Sequence, residues 1–104
     1  MDYVVTTRGK PDRFEDRVSV GDTVEYNLDF APWLEDKGTI SETDWLVESG
    51  NATIVDTDQS ALLTFSYESR NVISCRVTTT TGESKKVWII VKATDYGEGI
   101  TDYE

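Results

Sequence analysis

From Thr23 to Phe30 apolar and polar residues alternate without a break, with Val24, Tyr26, Leu28 and Phe30 on one side and Thr23, Glu25, Asn27 and Asp29 on the other. A period of two is that of a strand with one buried face, so this run predicts a half-buried β-strand entered through the Gly21-Asp22 turn. The same alternation groups Ala61, Leu63, Phe65 and Tyr67 in a strand over 61–67 and Ile73, Cys75 and Val77 in one over 72–80. In a last strand over 85–93 it groups Val87, Ile89, Val91 and Ala93. Trp45 and Val47 share a side of a strand over 39–48, and Ala52 to Val55 forms a short strand that stops at Asp56. Ahead of all these, Val4, Val5, Val18 and Val20 bracket a polar stretch from Thr6 to Asp16, which predicts a first edge strand interrupted by a loop.

Between the strands the punctuation is that of turns. Ala31-Pro32 ends the Thr23 strand, because proline cannot donate to a ladder, and Trp33-Leu34-Glu35-Asp36-Lys37-Gly38 reads as a compact loop with room for a short helical turn. Ser49-Gly50-Asn51, Glu68-Ser69-Arg70-Asn71 and Thr81-Gly82-Glu83-Ser84 are further reversals. No segment sustains a 3.6-residue apolar period over a helix length, and turn signals recur at a spacing of roughly 8 to 12 residues. The chain therefore reads as all-β, about seven short strands in an antiparallel two-sheet sandwich with Trp45 and Cys75 in its core.

Residues 1–93 make up that domain, with 1–17 as an N-terminal arm or edge strand. Residues 94–104 carry Asp95, Glu98, Asp102 and Glu104, two glycines and no base, the composition of a flexible acidic tail. Within it Tyr96, Ile100 and Tyr103 are spaced by four and three, as if to order on a partner.

Charge narrows the function. The 104 residues hold 20 Asp and Glu against 10 Lys and Arg, a formal charge of −10, which argues against a nucleic-acid groove and against an anionic membrane surface. No run approaches the roughly 20 apolar residues of a membrane span, and the first residues lack the apolar core of a signal peptide. Cys75 is the single cysteine, so no intrachain disulfide forms and a cytosolic folding history fits best. Asn51-Ala52-Thr53 matches a glycosylation sequon without a secretory route to use it.

There is no histidine, so the commonest general base and the commonest transition-metal ligand are both missing. Asp56-Thr57-Asp58 lacks the spaced acids of a calcium loop and reads as a solvated turn. Cys75 points inward and has no histidine to activate it. The reading is a protein with no catalytic residues, no metal and no cofactor.

Surface apolar residues are the better candidates for function. Trp88 and Ile90 fall on the side of the last strand opposite its inward residues, and Trp33 and Leu34 sit together in a loop. Facing solvent, they would be the aromatic and aliphatic anchors of a protein interface. The alternative is packing: the Trp33 pair capping one end of the sandwich, and Trp88 lying under the N-terminal segment.

The stretch Val20 to Phe30, with Trp33-Leu34-Glu35, Gly38-Thr39-Ile40-Ser41 and Thr43-Asp44-Trp45-Leu46-Val47, resembles the small adaptor proteins of tailed bacteriophages. Asn71 to Ser84 followed by Val87-Trp88-Ile89-Ile90-Val91 is similar to the closing hairpin of Ig-like and PKD-like domains. Over residues 18–93 the resemblance implies an Ig-like sandwich and a non-enzymatic structural protein of the virion, present in multiple copies in the tail, fiber or head–tail region. Its implied partners are other virion proteins, and its synthesis would be in the host cytoplasm. Two other classes remain open: an acidic phage inhibitor of a host protein, and a carbohydrate-binding accessory module with Trp33 or Trp88 as stacking platform.

Overall fold

The computed structural model of the chain describes residues 1–5 and 12–94, and the strands in them divide between two four-stranded sheets. In chain order they are β1 (Asp2–Val4), β2 (Asp12–Ser19), β3 (Thr23–Asp29), β4 (Ile40–Ser49), β5 (Thr53–Thr57), β6 (Ser60–Thr64), β7 (Ser69–Thr79) and β8 (Ser84–Thr94). Sheet 1 runs β1-β3-β6-β5 and sheet 2 runs β2-β8-β7-β4. One helical turn, α1 (Ala31–Leu34), and a 3-10 turn over Glu35–Lys37 fill the β3–β4 connection, with Pro32 in the first turn, where its missing N–H costs nothing.

Alternation places the core as the sequence implies. Tyr26, Leu28, Phe30, Leu63 and Phe65 of sheet 1 and its continuation meet Ile73, Cys75, Val77, Val87, Ile89 and Val91 of sheet 2, all at 5% exposure or less. A fully buried side chain of this kind contributes roughly 1.5–3 kcal/mol, so this layer is the main source of cohesion in a chain without a disulfide.

The expected first edge strand is two strands, one in each sheet, which raises the count to eight among the described residues. It also breaks the antiparallel rule. β1 lies parallel to β3 and β2 parallel to β8, while the other pairings are antiparallel. The Ser19–Asp22 turn sends β3 back against β2, so β1, which runs with β3, is opposite in sense to β2, and each borders its sheet alongside a strand of its own direction.

Three other expectations are corrected. Tyr67 is not inward but 66% exposed, because β6 ends at Thr64 and Phe65 is the last residue of that run to reach the core. The 68–71 segment is not a turn beyond Glu68: β7 begins at Ser69, and Asn71 is fully buried. Trp45 is partly rather than fully buried, and its indole N–H donates to the Asp58 carbonyl at 2.8 Å. Together with the Gln59 side-chain amide, which donates to Thr43 Oγ1 at 2.9 Å, that bond ties edge strand β4 to the β5–β6 turn of the other sheet.

Candidate interaction site

The inward residues of β7 and β8 are odd-numbered, so the even-numbered ones form the outer face of sheet 2, joined by the odd-numbered residues of β2. Strand register then sets the outward side chains in rows across the sheet. Arg17, Lys92 and Arg70 make one row, and Glu15, Ile90 and Val72 the next. Arg13, Trp88, Ser74 and Leu46 follow, and beyond them Lys86, Arg76 and Asp44. An apolar band of Trp88, Ile90, Val72 and Leu46 is thus bounded by cations at both ends.

Six of the chain's ten Lys and Arg residues stand on this face, against four of its twenty Asp and Glu, namely Glu15, Glu42, Asp44 and Glu48. Two of those acids have near neighbours. Arg13 lies 3.5 Å from Glu15, and Lys86 lies 2.9 Å from Glu48. Hydrogen bonds from Ser74 and then Lys86 hold the Glu48 carboxyl below its ordinary pKa. The Lys86 ammonium also sits 5.3 Å from the centre of the Trp88 ring, a cation–π geometry that orients the indole.

The face is hollowed where the basic row meets the apolar band. A concavity of about 550 Å³ is lined by Glu15, Asp16, Arg17, Arg70, Ile90 and Lys92. A second of about 270 Å³, lined by Arg13, Arg70, Val72, Trp88 and Ile90, shares Arg70 and Ile90 with it. Half-exposed aromatic and aliphatic groups ringed by arginine are the composition of a protein-binding patch.

The sequence candidates separate on this map. Trp88 and Ile90 lie together at the centre of the face, each half-exposed. Trp33 does not face solvent: it is 6% exposed, packs edge-on against Phe30 with ring centres 6.2 Å apart, and has the Lys37 ammonium 5.4 Å from its ring centre. Leu34 is half-buried against the same core cluster. The proline-initiated turn folds both residues back over the end of the sandwich, so the capping alternative describes them. Tyr96, Ile100 and Tyr103 lie outside the described residues.

The basic cluster itself escaped the sequence reading. Charge counted along the chain is acidic nearly everywhere; counted by strand side, Arg13 and Arg17, Arg70 and Arg76, and Lys86 and Lys92 all fall opposite inward positions. Leu46, 58% exposed, was missed for another reason, since its neighbours Trp45 and Val47 drew the attention of the pattern. Elsewhere the chemistry is quiet. Burial, with Asp56 and then Asp44 adding to it, pushes the Cys75 thiol up to about 12, and no cluster of three metal-ligating side chains occurs among the described residues.

No family model matches the chain, and no curated protein matches it. Solved structures do. A 2,6-sialyltransferase from Photobacterium sp. JT-ISH-224, in ternary complex with CMP and lactose, superposes with a TM-score of 0.61 at 6% identity over 84% of this chain. The chain spans only 19% of that enzyme's length. The PKD domain of the KIAA 1837 protein superposes with a TM-score of 0.54 at 18% identity, covering 86% of this chain and 89% of that domain. At these identities the likeness is one of fold: the chain is an all-β, Ig-like sandwich of the PKD type.

Proposed function

We propose that the chain is a non-enzymatic interaction domain that docks a partner protein on the outer face of sheet 2. The single observation carrying this reading is the concentration of six cations around Trp88, Ile90, Val72 and Leu46 in a protein whose net charge is −10. Such a face selects an acidic, partly apolar surface, the reverse of the basic partner that net charge alone suggests. The resemblance of residues 18–93 to tailed-phage adaptor proteins supports placing that partner among the structural proteins of a virion, in the tail, fiber or head–tail region. The lack of histidine and the buried, high-pKa Cys75 support a role without covalent or acid–base chemistry.

The test is affinity capture from purified particles with the full-length chain, a Trp88→Ala/Ile90→Ser variant and a truncation after Thr94. Recovery of virion structural proteins by the full-length chain and their loss with the double variant is the expected result. Loss with the truncation alone would move the contact to the tail that carries Tyr96, Ile100 and Tyr103. Recovery of one host enzyme instead would favour the inhibitor reading.

A further inference from the structure

The two outer faces of the sandwich are opposite in charge. The strands of sheet 1, β1, β3, β5 and β6, contain no Lys or Arg at all, and Asp2, Glu25 and Asp29 stand on its outer side. That side also carries exposed apolar side chains. Val4, Val55 and Leu62 are 52, 69 and 46% exposed, and the last two lie in one row with Glu25. A shallow hollow of about 100 Å³ lies there, lined by Glu25, Val55, Thr57, Ser60, Ala61 and Leu62. One molecule therefore carries both an apolar band flanked by cations and an apolar patch flanked by carboxylates.

We propose that the acidic surface received by sheet 2 is the outer face of sheet 1 on a second copy of this chain, so that copies stack head to tail. The inference rests on the reading of sheet 2 as a docking face and names its occupant. The contact is heterologous: each copy that joins leaves one cationic and one acidic face open, so the assembly either closes as a ring or grows as a stack. Two like faces cannot pair in this way, because cation would meet cation and carboxylate would meet carboxylate. With strands about 4.8 Å apart and about 3.3 Å per residue, four short strands on each side bury on the order of 1,000 Å² in total, the low end for a specific interface. Association is then weak and sensitive to salt, since its charged rim lies in solvent.

Sedimentation velocity of the full chain over a concentration series, at low and at high salt, is the first readout. Mass-averaged sedimentation is expected to rise with concentration, with association weakened about tenfold or more by added salt. Arg70→Glu/Lys92→Glu and Glu25→Lys/Asp29→Lys should each sediment as monomers, and their equimolar mixture should associate again, since each reversed face then finds a complementary one. All four positions are on outer faces, and circular dichroism confirms the fold of each variant. Should a reversal not fold, Val55→Ser/Leu62→Ser, which keeps every charge, is expected to lower association as well. A monomer at every concentration in low salt overturns the proposal, as does association that neither reversal alters. Shifting the monomer with an oligothymidylate probe, without self-association, would assign the face to nucleic acid and overturn it too. Virion proteins captured through Trp88 and Ile90 by a chain that stays monomeric would overturn the stacking and leave the docking face standing.

Discussion

The side-chain oxygen of Asn71 accepts the backbone N–H of Asn51 at 2.8 Å, and that of Ala52 at 3.1 Å, across the turn between β4 and β5. The amide nitrogen of the same side chain donates to the Val91 carbonyl at 3.3 Å. One buried carboxamide thereby fixes the turn that carries the chain from sheet 2 to sheet 1. Asn71→Leu leaves these backbone groups without partners and is expected to cost about 3 kcal/mol, read as a lower midpoint in urea unfolding with an unchanged m-value.

The same turn constrains Gly50. Its φ is +103°, and a Cβ there would run into the Asn71 side chain and backbone. Gly50→Ala is therefore expected to destabilise by more than about 1 kcal/mol, whereas Gly82→Ala, with open space around it, carries only the backbone strain of its own positive φ. Thermal melts of the two variants side by side separate the collision from the strain.

Stability at high pH depends on Tyr26. Its hydroxyl donates to Asp16 Oδ2 at 2.8 Å, and burial, then that bond, raise its pKa far above 10.0. The neutral phenol is favoured in the folded state, so its contribution is complete below pH 10 and is lost as the pH climbs above that, where the unfolded chain releases the proton first. Tyr3 is shifted in the same direction, chiefly by burial. Unfolding measured from pH 8 to 11 should show stability falling above 10, with a shallower fall in Tyr26→Phe.

With its thiol pushed up to about 12 and 1% exposed, Cys75 should resist a thiol reagent at pH 8 in the folded protein and react at once in denaturant. Fast labelling of the native chain would contradict its place between the sheets.

Trp45→Phe removes the indole bond to Asp58 and is expected to cost about 1 kcal/mol, while Trp88→Ala, on the outer face, should change stability by no more than about 0.5 kcal/mol. Chemical denaturation of the pair distinguishes a tryptophan that holds the fold from one that is offered to a partner.

Much of this was legible in the sequence because a period of two survives wherever one face is buried: Val24, Tyr26 and Leu28, or Ile73, Cys75 and Val77, announce their strands and their inward sides without help. Asn71 was not legible, since a buried amide among turn-forming neighbours looks like part of the turn until the backbone groups it serves are known. Trp33 and Trp88 are alike in one dimension and differ only once the Pro32 turn folds one of them back onto the core. Nor does alternation reveal which strands are neighbours. Without the register that aligns Arg17, Lys92 and Arg70, six scattered cations do not read as a face.

The parallel pairing of β2 with β8 has a mechanical consequence. Eight consecutive residue pairs, from Asp12 with Val87 to Ser19 with Thr94, join β2, the second strand of the chain, to its last strand, β8. Pulling on the chain ahead of Asp12 and beyond Thr94 draws these strands past one another lengthwise. The hydrogen bonds between them are then loaded together in shear instead of opening one at a time from an end. An element strung between two larger bodies by its termini would hold tension in this direction and yield far more readily to a force that peels β4 from the opposite edge.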